Sequence, residues 1–419
     1  MAKVAWIDFS SEHREKVRLV LDLLKQKGVL DELGIGMIRD SFADRLFPGI
    51  NTIQTRAKYF LIIGHLLKEY LQLKPAKQKA TPLDLYLKRR EREVRVRLVE
   101  RHQEDSRSLG IIGSTFGTDP KRGVVRRPSS VYWNGLLQYG IVRPAISMAE
   151  FERRVFDRTD FLSAREHGSA KERGDEADEA DTGIPRVNVP KIEEDYWEKI
   201  DIDLLPEEAS FLRHQITSTQ PRSLLTKILL SDQAIHEITS IDTGDFEQFC
   251  ELPFVSALDA PLRSAIFQAR DFWRILRGAH ILYDFLVQQR FGPVELQKKC
   301  EEEWNEWQDE MRDFPDHCKA EDLWERCRNS GRQVQPATRD FITRWIEEAR
   351  RQGANREVCE DLVRRQEMTN KGGRARLRKN ADEPRTDSLM GIRHLDFRLG
   401  QGQRTIRDIS EAERGTGSA

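Results

Sequence analysis

The sequence predicts a mainly α fold: two helical domains, the first with a winged-helix-like unit and a few short strands. Three observations predict it. Apolar residues recur at helical spacing along most of the chain. Strand signals are few. One stretch, residues 164 to 190, replaces the apolar rhythm with acids, alanines, glycines and two prolines, the composition of a flexible linker. The domain plan is therefore 1–163, an acidic linker at 164–190, a second helical domain at 191–369, and a basic, largely flexible tail at 370–419.

The elements follow in order. Val4 to Phe9 reads as a short strand, and Ser10 or Ser11 can cap a helix whose Val17, Val20, Leu21 and Leu24 share one face before Gly28. LGIGMIRDSFADRLFPGINT holds a shorter helix ended by Pro48-Gly49. Asn51 or Thr52 caps a long helix that is apolar nearly all round in its middle, which places it in the centre of a helical domain. A second long helix begins near Pro82, with Leu87, Val94, Leu98 and Arg101 spaced for one side and charges of alternating sign on the other. A loop with glycines at 110, 113, 117 and 123 leads to RRPSSVYWNGLLQYGIVRP, residues 126 to 144. Here Pro128 pre-sets the chain, Ser129 or Ser130 caps a helix from Val131 to about Tyr139, and Gly140 ends it before a short strand. Later helices are expected at Glu207–His214, Pro221–Leu230, Pro261–Gln289, Val294–Met311, Asp322–Cys327, Thr338–Gln352 and Arg356–Thr369.

Composition bounds the function. The 419 residues are 38% hydrophobic and 33% charged, with a net charge of −1. No whole-protein field draws in a polyanion, so any nucleic-acid site has to be a local basic patch. Cysteines at 250, 300, 318, 327 and 359 show no CxxC spacing and read as buried thiols in a reducing cytoplasm. MAKVAWIDF reaches an acid by position 8, so no secretory signal is expected. The longest apolar run, Tyr59 to Leu67, is about half a membrane span.

One patch stands out. Between 120 and 148 lie Lys121, Arg122, Arg126, Arg127 and Arg143 and no acid. Cations beside a helix N-terminus suit phosphates, and Tyr132 or Tyr139 suits stacking on a base. Arg56 and Lys58 in QTRAKYF would widen this face. The competing reading makes Trp133, Leu136, Leu137 and Ile141 core, with the arginines a solvated rim. Lys88, Arg89, Arg90, Arg92, Arg95 and Arg97 form a second basic strip, which Glu91 and Glu93 interleave, so pairing along the helix is its plain explanation.

Catalytic patterns are missing from the sequence. There is no GxxxxGK[ST], HExxH or GxSxG, and Asp201 and Asp203 fit no nuclease frame. His317 and Lys319 begin a phospholipase-D-like pattern, but Asp322 comes too early and only one copy exists. His65 and His280 lie in apolar helices and read as core. No cofactor and no metal are expected, and the enzyme question leans to no.

AWIDFSSEHR, DELGIGMIRDSFADRLFPGINTIQTRAKYFL, RRPSSVYWNGLLQYGIV and RGAHILYDFLV together resemble an uncharacterised bacterial family, domain of unknown function 6361. The resemblance carries no catalytic residues. It implies company with helicases and phospholipase-D-like nucleases in bacterial genome defence. The expectation is a non-catalytic, cytoplasmic accessory subunit of an anti-phage system that binds DNA through the local basic patch. The alternative is a protein–protein scaffold for a helicase or nuclease partner, without nucleic-acid contact.

Overall fold

A computed structural model describes residues 31–166, 185–312, 314, 318–351, 354–379, 386, 388–392 and 394–415. The expected strand at Val4–Phe9, the helix after it, His317 and most of the acidic stretch lie outside these residues. Among the described residues the fold is mainly α, with 17 α-helices and one two-stranded sheet. In chain order they begin with α1 (Gly36–Leu46), α2 (Lys58–Gln72), α3 (Pro75–Ala80), α4 (Leu83–His102) and α5 (Pro128–Gln138). Strand β1 (Val142–Arg143), α6 (Met148–Glu166), β2 (Arg186–Val187), α7 (Pro206–Thr219) and α8 (Leu224–Leu229) follow. Then come α9 (Asp232–Ser240), α10 (Phe246–Glu251), α11 (Pro253–Ala257), α12 (Ala260–Phe291) and α13 (Val294–Arg312). The last are α14 (Ala320–Asn329), α15 (Pro336–Ala349), α16 (Arg356–Lys371) and α17 (Leu399–Arg414). Helices α9, α10 and α11 are among those the sequence reading did not name. Each starts on a strong local signal: Ser231 and Asp245 accept hydrogen bonds from the first turns of α9 and α10, and Pro253 opens α11. No described helix is long and apolar enough to cross a membrane, and all five cysteines are buried.

The described chain forms two compact units: residues 43–266 with 396–415, and residues 31–42 with 267–395. In the first unit α2 is central, as its apolar middle predicts: every residue from Tyr59 to Leu67 is buried. The helix begins at Lys58 rather than after Asn51 or Thr52. Asn51 spends its side chain elsewhere, accepting from the Ile53 N–H at 3.0 Å and donating to the Val131 carbonyl at 2.6 Å. Helix α5 crosses α2 closely. A β-carbon on Gly135 would stand 2.4 Å from Phe60 and 2.7 Å from the Gly49 carbonyl, so only glycine allows this approach. Tyr132 and Tyr139 flank the Phe60 ring at centroid distances of 4.9 and 5.1 Å. Gly140, at φ +64°, ends α5 as expected, and β1 pairs antiparallel with β2, Val142 opposite Val187.

The sequence assigns 370–419 to a tail. Within it α17 is an ordered amphipathic helix whose Leu399, Ile406 and Ile409 are buried against α7. Its small residues set the fit: a β-carbon on Gly402 would lie 2.5 Å from the Phe47 ring. The stretch HLDFRLGQGQRTIRDIS reads as amphipathic in the sequence, and its burial is what the structure adds.

His65 on α2 is 2% exposed, against the Tyr196 ring at 5.1 Å. Burial, with the Lys68 and Lys58 charges adding to it, pushes the imidazole pKa down to about 3. The unfolded chain binds a proton near pH 6.5 that the folded chain refuses, so this contribution to stability is lost as pH falls from about 6.5 towards 3. His65→Leu removes the dependence. Between pH 6.5 and 5 the wild type should lose about 2 kcal/mol more than the variant in urea unfolding. Parallel pH profiles would show that His65 is not the group responsible.

The second unit is built on α12. Phe272, Ile275, Leu276, Ala279, Leu282 and Tyr283 are all buried, as the apolar face of that stretch predicts. Trp304 and Trp307 of α13 and Trp345 of α15 stack on one another beside it. Two indole N–H groups donate to α12 carbonyls: Trp307 to Arg274 and Trp345 to Ile275, each at 2.9 Å.

Candidate nucleic-acid interface

The eight cations and aromatics expected at the interface do not come together. Three are structural. Tyr132 is 1% exposed and has no free ring face for a base. Its hydroxyl accepts from the Thr55 and Arg56 N–H groups at 2.8 and 3.1 Å and donates to the Arg56 carbonyl at 2.9 Å, which fixes the entry to α2. Burial pushes the phenol up to about 12. Arg56 donates through Nε to Asp408 of α17 at 2.9 Å and through Nη2 to Asp203 at 2.5 Å. Burial of the guanidinium opposes its charge, but the two carboxylates outweigh it and raise its pKa. Asp408 also accepts the Ala57 N–H at 2.7 Å, so it serves as a distant cap for α2. Lys58 is 1% exposed, its ammonium 2.6 Å from Glu208. These side chains are spent inside the fold.

Asp201 and Asp203, the carboxylates weighed for nuclease chemistry, are ion-pair partners. Asp201 meets Arg101 at 2.7 Å and His102 at 3.0 Å, and Asp203 meets Arg56.

Arg143 is exposed but lies over Gly140, at the C-terminal end of α5. Arg126 and Arg127 stand at the other end of that 11-residue helix, about 16 Å away. Arg127 is tied down, donating to the Asp84 carbonyl at 3.0 Å and pairing with the Asp84 carboxylate. The outward face of α5 carries Ser130, Asn134 and Gln138 and no cation.

The remaining cations stand on α4 and on the loop beside it, where Gly123 approaches the Arg92 guanidinium. Lys121, Arg122 and Arg126 are exposed on the loop before α5, and Lys88 and Arg89 are exposed on α4, with Arg92 and Arg97 half-buried beside them. Arg95, 5% exposed, organises the loop. Its guanidinium donates to the carbonyls of Gly117 at 3.1 Å and Arg122 at 3.2 Å, and to that of Asp119. Between α4 and Pro120 runs an open groove of about 590 Å³, lined by Lys88, Arg89, Arg92 and Arg97. Glu93, Glu100 and Asp119 are the neighbouring acids. Arg89 and Glu93 pair at 3.7 Å, as their spacing predicts, but both are largely exposed and the pair holds the cation weakly.

A second cavity of about 330 Å³ opens beside the groove and shares Lys88 and Arg92 with it. Its inner wall is apolar: Tyr59, Ile62, Ile63, Val94, Ile112 and Val124. Glu91, 7% exposed, lines it too. One carboxylate oxygen accepts the Ser129 N–H at 2.6 Å, and the other, Oε2, has no hydrogen-bond partner. Burial raises the carboxyl pKa, while Ser129 and Arg127 pull it back. Ser129 is therefore not the cap of α5. It sits inside a helix opened by Pro128, with its N–H given to Glu91.

Sequence reasoning read Glu91 as a surface partner for arginines. Its spacing held the contrary signal, for Glu91 and Arg95 fall one turn from Leu87, Val94 and Leu98, on the buried face of α4.

A family of unknown function, DUF6361, matches the chain over residues 1–413. No curated protein and no solved structure matches it.

Proposed function

The chain belongs to the DUF6361 family, whose function is not established, and from that starting point we propose that it binds nucleic acid through phosphate contacts, without chemistry of its own. The observation that carries the reading is the groove. Four cations of α4, Lys88, Arg89, Arg92 and Arg97, line it against two acids, Glu93 and Glu100, and the loop that carries the exposed Lys121, Arg122 and Arg126 borders it at Pro120. A row of cations at a groove neutralises backbone phosphates and releases counterions, which needs no base-specific reader. The exposed face of α5 supplies none of this charge, so the proposed interface is α4 and the loop, rather than α5. Of the residues first expected, Lys121, Arg122 and Arg126 stay in the interface. An accessory role in genome defence, implied by the family resemblance, is the setting in which such binding would serve a helicase or nuclease.

The test is binding of labelled single- and double-stranded DNA across a salt series, with the triple variant Arg89→Ala, Lys121→Ala, Arg122→Ala alongside. Affinity should fall steeply with salt. The variant should bind at least tenfold more weakly, with a salt slope shallower by about 0.9 for each duplex phosphate that is no longer neutralised. Leu85, 55% exposed, and Val125, 96% exposed, stand on the same surface and favour the alternative of a protein partner. No binding at low salt, or binding indifferent to the three substitutions, would leave that alternative.

A further inference from the structure

The cavity beside the groove has a chemistry that backbone binding does not use. Three of its features bear on a ligand. Its inner wall offers flat apolar contact from Ile62, Ile63 and Val124. Beneath it the buried Glu91 holds an oxygen, Oε2, with no hydrogen-bond partner in place, beside the equally unpaired Ser129 hydroxyl, and an unpaired buried acceptor is costly unless something donates to it. At its mouth stand Lys88 and Arg92, the two cations it shares with the groove.

A ligand that matches all three has an apolar-faced body, an edge with an N–H donor, and an anion at one end. A fatty acid has no donor for Glu91, and a free sugar phosphate has no apolar face. A nucleobase carrying its phosphate has each part. The cavity volume of about 330 Å³ is at the small end for ligand sites, which suits one nucleotide and excludes a dinucleotide or a larger cofactor.

We propose that this cavity receives one unstacked nucleobase, its edge on Glu91 and its phosphate between Lys88 and Arg92. When the base belongs to a strand, the strand continues along the groove. This part of the inference rests on the nucleic-acid reading of the groove. Taking a base out of a stack leaves a gap, and proteins that do so fill it with an apolar wedge. Val125 lies at the cavity, 96% exposed, on the loop that Arg95 braces. A valine so exposed gains nothing for the fold, and its place fits the wedge.

The donor requirement sets a base preference. Adenine, cytosine and guanine bring an amino group to Glu91. Thymine brings only an imino N–H between two carbonyls, which a carboxylate repels. The four deoxynucleoside 5′-monophosphates are titrated into the full chain by calorimetry, with inorganic phosphate as the control. The three amino-bearing nucleotides should bind at least tenfold more tightly than thymidylate and than phosphate. Val124→Trp, which fills the cavity from a half-buried loop position, should abolish nucleotide binding and weaken DNA binding severalfold, because the strand loses its base pocket, while the salt slope set by the groove stays unchanged. Glu91→Gln keeps an oxygen for the Ser129 N–H and puts an amide N–H₂ where Oε2 stands, so thymidylate should gain relative to the other three. A lost fold would not produce that change in ranking.

The outcomes separate the two readings. DNA binding with no nucleotide binding, or nucleotide binding untouched by Val124→Trp, overturns the cavity proposal and leaves the groove standing. Nucleotide binding that obeys both variants, with no binding of any strand, supports the cavity as a site for a free nucleotide and overturns the strand.

Discussion

Lys58→Ala should destabilise the unit that contains it by about 3–5 kcal/mol, because it leaves a buried carboxylate without its counter-charge. Lys58 and Glu208 are 1% and 2% exposed, and their charged atoms lie 2.6 Å apart. Glu208 is otherwise well supplied: Oε2 accepts the Leu205 N–H at 2.8 Å, and Oε1 accepts the Tyr196 hydroxyl at 2.9 Å. Two neutral donors do not replace an ammonium when a charge is kept out of water. The double variant Lys58→Met, Glu208→Leu should recover much of the loss, since it removes both charges and their desolvation together. It should still cost about 1–3 kcal/mol, because Tyr196 and the Leu205 N–H lose their acceptor. Urea unfolding of the two single variants and the double gives the coupling directly. A loss below about 1 kcal/mol for Lys58→Ala would mean that the ammonium is hydrated, and would return Lys58 to the surface cations.

Trp307→Ala in the other unit should cost a similar amount, about 3–5 kcal/mol, by a different mechanism. The indole is fully buried between Trp304 and Trp345, at centroid distances of 4.7 and 5.8 Å. One face rests on Gly278 of α12, where a β-carbon would stand 2.4 Å from the ring. Glycine there exists to admit the indole, so nothing nearby can swell to fill the hole that alanine leaves. The cavity term therefore adds fully to the lost transfer energy. Trp307→Phe should cost less, since it keeps a ring on Gly278 and loses the 2.9 Å hydrogen bond to the Arg274 carbonyl. Near-ultraviolet circular dichroism should lose part of its tryptophan signal, the coupling of Trp307 with Trp304 and Trp345, alongside the fall in stability. If alanine and phenylalanine were equally mild, the α12 face would be relaxing around the site.

The fold was legible where local chemistry decides it. The helical period marks α2 and α12, Pro128 opens α5, and Gly140 closes it with positive φ. These signals act within a few residues, so a linear reading finds them. The start of α2 was misplaced by five or six residues, because Asn51, a good capping residue, was claimed by a carbonyl 80 residues away. The amphipathic pattern of α17 was legible in HLDFRLGQGQRTIRDIS, but its apolar stripe is short and counts as a core only once α7 lies beside it.

The candidate site divides in the same way. By itself the sequence determined that the chain is mainly α, that its net charge excludes a global pull on polyanions, and that cations crowd α4 and the residues before α5. Only the tertiary structure decided which cations remain at the surface. The partners of Arg56 and Lys58 lie 352 and 150 residues away in Asp408 and Glu208, and Arg127 turns to Asp84, outside its acid-free window. The physical reason is range. A side chain's solvation and charge balance depend on what stands within a few ångströms in space, and sequence spacing reports that only within one element.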